Sequence, residues 1–197
     1  MLYFFGLISG VLSIIGGAPY VYDILKKTTK PERATWFIWS ILGSIAFFSQ
    51  FAKGATDSLW LTGAQTIIVL IIFLLSLKFG VGGFNRMDIA ALIFAGIALI
   101  LWYLTNEATV ALFLVILIDA IGGMPTIIKS YEAPESESLI SWLLFGISGI
   151  FAMVAVGSFN FILLSYPAYI FLFNVGVVAA ILLGRKRNRV IKVNSPS

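Results

Sequence analysis

The chain contains no cysteine and no histidine. The first absence excludes disulfides and thiolate chemistry and leaves no sign of redox compartment. The second removes the commonest metal ligand and the commonest general base, so neither a metal site nor a cofactor is expected. Charge is scarce as well: 11% of the 197 residues are charged, against 60% hydrophobic. No soluble domain of this size is so apolar; the composition is that of a polytopic membrane protein. No polar stretch is long enough for a separate soluble domain. A net charge of +4 would suit nucleic acid, but the basic residues sit at the edges of apolar segments. The expected partners are therefore the lipid bilayer and a small-molecule solute, with no nucleic acid; oligomeric state is not readable.

What is present is a set of long apolar runs. A bilayer crossing takes about 20 helical residues, and seven segments approach that length: 2–25, 34–53, 58–78, 88–105, 108–129, 138–157 and 161–184. The fourth is the shortest, with Asp88 as a reasonable N-cap. Helix is the only credible state, because the bilayer core offers backbone groups no water. Placing the N-terminus outside leaves twelve of the thirteen Lys and Arg inside and Lys53 alone outside, the asymmetry expected of cytoplasmic loops. The chain is thus read as an integral protein of the plasma (inner) membrane, with its N-terminus outside and its C-terminus cytoplasmic. The first segment lacks a basic leader region and reads as a retained helix. The basic run Arg185-Lys186-Arg187-Asn188-Arg189 reads as a stop-transfer anchor that touches anionic lipid.

A short motif occurs twice, 106 residues apart: Gly16-Gly17-Ala18-Pro19 and Gly122-Gly123-Met124-Pro125. At the same offset Thr35-Trp36 recurs as Ser141-Trp142, and after a three-residue gap Gln65 pairs with Asn174. This is the signature of a duplicated membrane protein, in which the site usually lies between the repeats. Two three-helix units in the same orientation need one extra crossing between them, so the fourth segment is a linker. The expected fold is all-α: a first repeat over 1–79, a linker with helix 4 over 80–106, a second repeat over 107–185 and a basic cytoplasmic tail over 186–197.

Seven helices in a 3 + 1 + 3 order, parallel repeats and a proline near the inner end of each repeat's first helix resemble the SWEET and PQ-loop transporter superfamily, as a divergent, prokaryotic-looking relative. That group includes sugar facilitators, amino-acid exporters, vitamin transporters and a cargo receptor. The family's Pro-Gln pair reads Pro19-Tyr20 and Pro125-Thr126 here. The resemblance implies a pocket with an amide on the third helix of each repeat, Asn174 and the longer Gln65, and a Trp on each second helix, Trp36 or Trp39 and Trp142. Sugar specificity does not carry across.

Asp119 is the sharpest signal read from the residues alone. It lies mid-segment with no Lys or Arg at its depth. An ionised carboxylate there costs on the order of 3 kcal/mol on insertion scales, so it faces a wet cavity, accepts hydrogen bonds or holds a proton. Its counterpart in the first repeat is Ser13, giving a polar but lopsided site. The functional reading is proton coupling or binding of a substrate amine; the bland one is a structural acid bonded to a neighbouring helix. Gln65 and Asn174, at similar depth, bind a solute or bond helices together. Trp36, Trp39 and Trp142 serve as inner-belt aromatics, with Trp39 the best pocket candidate. Gln50 and Asn160, near outer ends, are expected to be wetted. Pro19 and Pro125 each leave a carbonyl four residues back unbonded, so Gly16, Gly17, Pro19, Gly122, Gly123 and Pro125 form a pair of hinges or static kinks. Asp23, four residues before Lys27, reads as half of a surface pair.

The leading expectation is a transporter that moves a small polar solute by alternating access, with a proton as candidate coupling ion. The alternative is a non-transporting receptor or scaffold. An enzyme is not expected: no His or Cys is present and no second acid neighbours Asp119 in sequence. A retinal protein needs a lysine in helix 7, and 161–184 has none.

Overall fold

The computed structural model describes residues 1–27, 31, 33–80 and 86–194, apart from the side chains of Thr35, Met87, Asp88, Ala91, Pro125, Lys129, Ser136 and residues 190–194. Lys30 and the side chains of Thr35, Asp88, Pro125, Lys129 and Lys192 thus lie outside the described residues. Seven helices occupy the seven apolar segments: α1 Leu2–Leu25, α2 Arg33–Ala52, α3 Leu59–Phe79, α4 Arg86–Thr105, α5 Ala108–Glu132, α6 Leu139–Ala155 and α7 Phe161–Asn194, with a 3-10 turn at Pro134–Ser136. No strand occurs among the described residues. Among the described residues four helices, α1, α3, α5 and α7, are long and apolar enough to cross a membrane.

Side-chain size is distributed inside out. In α1 the buried positions include Gly6, Ser9, Gly10, Ser13, Gly16 and Gly17, while Phe4, Ile8, Val11 and Ile15 are exposed. In α6, Gly146, Ser148, Gly149 and Ala152 are buried and Ile140, Leu143, Ile147 and Ile150 are exposed. Water would penalise such a surface; lipid does not, and small residues let backbones approach. The apolar core gathers where α2, α5 and α7 meet, around Ile38, Leu42, Ile45, Leu112, Val115, Tyr166 and Ile170.

The helices close into a ring. α1 packs on α3, α3 on α2, α2 on α5, α5 on α7, α7 on α6 and α6 back on α1, while α4 lies outside against α5 and α2. Helix ends gather in two groups. At one, Arg33 at the start of α2 donates to the carbonyls of Ser76 and Gly80 at the end of α3, at 3.0 and 2.9 Å. There too, Arg187 donates to the Glu132 carbonyl at the end of α5 at 2.9 Å. The Gly80 and Glu132 carbonyls lie at the ends of α3 and α5, where a helix C-terminus leaves acceptors free, while the Ser76 carbonyl also accepts the Gly80 N–H at 2.8 Å. At the other end Lys53 pairs with Glu107 at 2.7 Å, and Tyr3 meets Trp60 edge-on.

Three elements differ from the sequence expectation. The shortest helix is α6, with 17 residues, not α4, with 20. Gly157, at φ +69°, ends α6 in the left-handed region that glycine enters at no steric cost. α4 begins at Arg86, which puts Asp88 inside the first turn and not at the N-cap. The tail is not a separate element: α7 runs on to Asn194. Gly184 lies against the Tyr131 carbonyl, and the Arg187 guanidinium stands 4.6 Å from the Tyr131 ring. These contacts seat the basic turn on α5 and let the helix continue.

Candidate functional site

Asp119 is placed by the middle of α5 and is partly buried. The Tyr169 hydroxyl, from α7, donates to its Oδ2 at 2.9 Å. The Trp39 side chain, from α2, approaches the same carboxyl as a second hydrogen-bond donor, and the Tyr166 ring lies 6.1 Å from that of Tyr169. Three helices therefore converge on one acid at the seam where α2 meets α5. Both sides of the carboxyl lead into rings. Trp39 meets Trp36 edge-on at 5.1 Å and Trp36 meets Tyr20 at 5.1 Å. Tyr169 meets Phe173 at 6.0 Å, Phe173 meets Trp142 at 6.2 Å and Trp142 meets Phe145 at 6.2 Å. Trp36, Trp39 and Trp142 are all partly buried and engage these neighbours. The Trp142 indole also donates to Glu137 at 3.0 Å.

The structure puts Ser13 elsewhere. Its hydroxyl donates to the Ser9 carbonyl at 3.0 Å and meets the Ser148 hydroxyl at 3.1 Å, between α1 and α6. Ser13 and Asp119 occupy two different seams and do not form one site. Asn174 is buried; its amide nitrogen donates to the Ile170 carbonyl at 2.7 Å, its Oδ1 has no partner, and its Cβ faces Gly146 of α6. Gln65 is partly buried on α3 and is not the positional counterpart of Asn174. Gly17 packs on Ile68, and Gly123 packs on Phe173. Asn174 follows Phe173 by one residue while Gln65 precedes Ile68 by three, so the amides stand about one helical turn apart in depth. The reason is that α6 is shorter than α2, 17 residues against 20, which shortens the offset where the amide pairing needs it lengthened. Gln50 is not wetted: it is fully buried and donates to Thr62 Oγ1 at 2.8 Å, tying α2 to α3. Asn160 is exposed and caps α7 by accepting from the backbone N–H groups of Ile162 and Leu163.

Three of the four glycines in the glycine–proline elements sit in close packing. Gly16 lies under the Phe145 ring, where an added Cβ would stand 3.0 Å away; Gly17 would crowd Ile68 at 2.5 Å. Gly123 has the Phe173 ring in the place of a side chain, whereas Gly122 faces open space. α1 continues through Pro19, and Pro19 is exposed. A further proline, Pro167, lies inside α7 and is fully buried. Its carbonyl is 3.0 Å from the position a Gly149 side chain would take, so α6 approaches α7 closely beside Tyr166 and Tyr169. Sequence reading missed Tyr169, Phe173 and Pro167. The available signal was two tyrosines flanking a proline in an apolar run at the depth of Asp119.

A separate cleft of about 370 Å³ lies between α2, α3 and α4, lined by Phe37, Ser40, Ser44, Leu70, Leu99 and Trp102 among others. The Ser40 and Ser44 hydroxyls turn back onto their own helix, each at 2.7 Å, which leaves this cleft apolar. Family models, characterised proteins and solved structures offer no match to the chain.

Proposed function

We infer that this chain is a seven-span transporter that moves a small polar solute by alternating access between two parallel three-helix repeats, α1–α3 and α5–α7, joined by α4. The observation that carries the reading is the Asp119 carboxyl, held at 2.9 Å by Tyr169 on a seam between the two triplets. Intramembrane acids mark solute or proton pathways, and repeat-built transporters place them between repeats. The packing supports the duplication. Exchanging α1, α2 and α3 for α5, α6 and α7 maps each pairing of the ring onto another: α1·α3 onto α5·α7, α2·α3 onto α6·α7 and α2·α5 onto α6·α1. The gathering of Arg33, Arg187 and their neighbours at one end supports a plasma-membrane orientation with that end, and the C-terminus, in the cytoplasm. This is the arrangement of the SWEET and PQ-loop group, to which we assign the chain as a divergent relative. Asp119 binds the solute or carries the coupling proton, and the two triplets rock about the seams.

Two measurements test this together. Single cysteines replacing Lys26, Glu135 and Thr56 in the cysteine-free chain label from outside only at Thr56; labelling of Lys26→Cys and Glu135→Cys from opposite faces removes the parallel-repeat model. Proteoliposome uptake varies with pH in the wild type, while Asp119→Asn abolishes accumulation against a gradient. Uptake curves that coincide for the two proteins return Asp119 to a structural role, and absence of any uptake returns the chain to a receptor or scaffold.

A further inference from the structure

The Asp119 site is walled by rings rather than by polar groups. Trp39 and Tyr169 both direct hydrogen-bond donors at the carboxyl. Beyond them Trp36, Tyr20, Phe173 and Trp142 extend the aromatic surface. The hydroxyls that a hydroxyl-rich ligand would need are committed elsewhere. Ser13 is bonded to Ser148 in the other seam, and Ser40 and Ser44 to their own helix; Asn174 donates to its own helix and keeps an unpartnered Oδ1, with its Cβ against Gly146 on α6. Among the described residues every Lys and Arg lies at a helix end, in a loop or in the extension of α7. The site combines one anionic centre with electron-rich rings and has no cation of its own among the described residues.

We propose that this site takes an organic cation, an amine or methylated ammonium on a small body, with Asp119 as counter-ion and the Trp39 and Tyr169 rings beside it. The proposal rests on the transporter reading for the site's place between the triplets, and it names the class of solute. A carboxylate supplies the charge partner, and aromatic rings attract cations through their quadrupole while also accepting methyl or methylene groups. A neutral polyol gains nothing from the charge and finds too few donors and acceptors. An anion is repelled.

The test uses the full chain purified in detergent, with choline, tetramethylammonium and phenethylamine as cationic probes. The neutral isostere 3,3-dimethylbutan-1-ol and glucose serve as controls, and binding is read by calorimetry. At least one cation binds saturably. The neutral alcohol binds at least about tenfold more weakly than choline, as expected when the ion pair and the cation–ring attraction are both lost. Asp119→Asn lowers cation affinity by a similar factor, and Trp39→Leu lowers it more than Trp39→Phe does. Ser13→Ala leaves it unchanged. Should Asp119→Asn elute as aggregate, the isostere pair and the Trp39 series decide the matter in a folded protein. Absence of binding by every cation, or equal binding of choline and its neutral isostere, overturns the proposal. Uptake of glucose or the alcohol into proteoliposomes without cation binding removes the cation and keeps the transporter. Cation binding without uptake removes the transporter and keeps the cation.

Discussion

Two seams join the triplets, and they are built from different materials. Along α1 and α6 the contact is small and neutral: Ser13 on Ser148 at 3.1 Å, Gly16 under Phe145, and Phe5 stacked on Phe151 at 6.0 Å. Along α2 and α5 the equivalent depth carries an acid, a tryptophan and, from α7, a tyrosine. The ring of helices treats the seams alike, since each joins the first helix of one triplet to the second of the other. The chemistry does not. Matched packing does not bring matched chemistry: one seam is lined by small neutral groups, and the other presents an acid.

The comparison breaks most sharply if the acid is made to match its counterpart. Asp119→Ser copies Ser13 into the second seam and replaces the charged acceptor of both donors with a shorter, neutral hydroxyl. Uptake is expected to fall by about 10- to 100-fold, the worth of one or two charge-assisted hydrogen bonds. Asp119→Leu, which leaves the Tyr169 hydroxyl and Trp39 indole unpaired, lowers stability by about 1–3 kcal/mol in detergent unfolding. A stable, fully active Asp119→Ser protein would show that the seams differ in appearance only.

Second in size is a packing contrast between adjacent glycines. Gly123→Val drives a side chain into the Phe173 ring and costs about 1–3 kcal/mol by overpacking. Gly122→Val meets open space and stays within about 0.5 kcal/mol. Thermal unfolding of the two variants separates them; equal losses would mean that Phe173 moves freely, which loosens the path from Tyr169 to Trp142.

The smallest effect belongs to the neutral seam. A double-mutant cycle of Ser13→Ala and Ser148→Ala is expected to give a coupling of about 0.6 kcal/mol, the average for hydrogen bonds between membrane helices. Uptake should be unaffected. Loss of uptake with either alanine would make the first seam a second working site.

The helices were legible because long apolar runs have one solution in a bilayer, and Asp119 because a lone acid in such a run stands out. Which neighbour a side chain meets was not. Depth along the chain matched Ser13 to Asp119, but depth carries no information about face, and the ring of packing sends them to opposite seams. Gln50 shows the same limit: nearness to a helix end suggested water, while its face meets Thr62 of α3. Tyr169 was hidden because an aromatic in an apolar run reads as lipid-facing bulk until a partner is seen. The amide pairing failed through α6, whose early stop at Gly157 could not be counted from composition.

α7 outlasts the others. Its 34 residues span about 51 Å at about 1.5 Å per residue, against about 30 Å of hydrocarbon. The surplus is a helical extension joined without a break to Tyr169 and seated on α5 through Arg187. A rotation of the second triplet by about 10° would sweep the tip through about 9 Å, given that length. A spin label or fluorophore near Arg189 would therefore read motions at Asp119 from outside the bilayer, with the protein's own geometry as the amplifier.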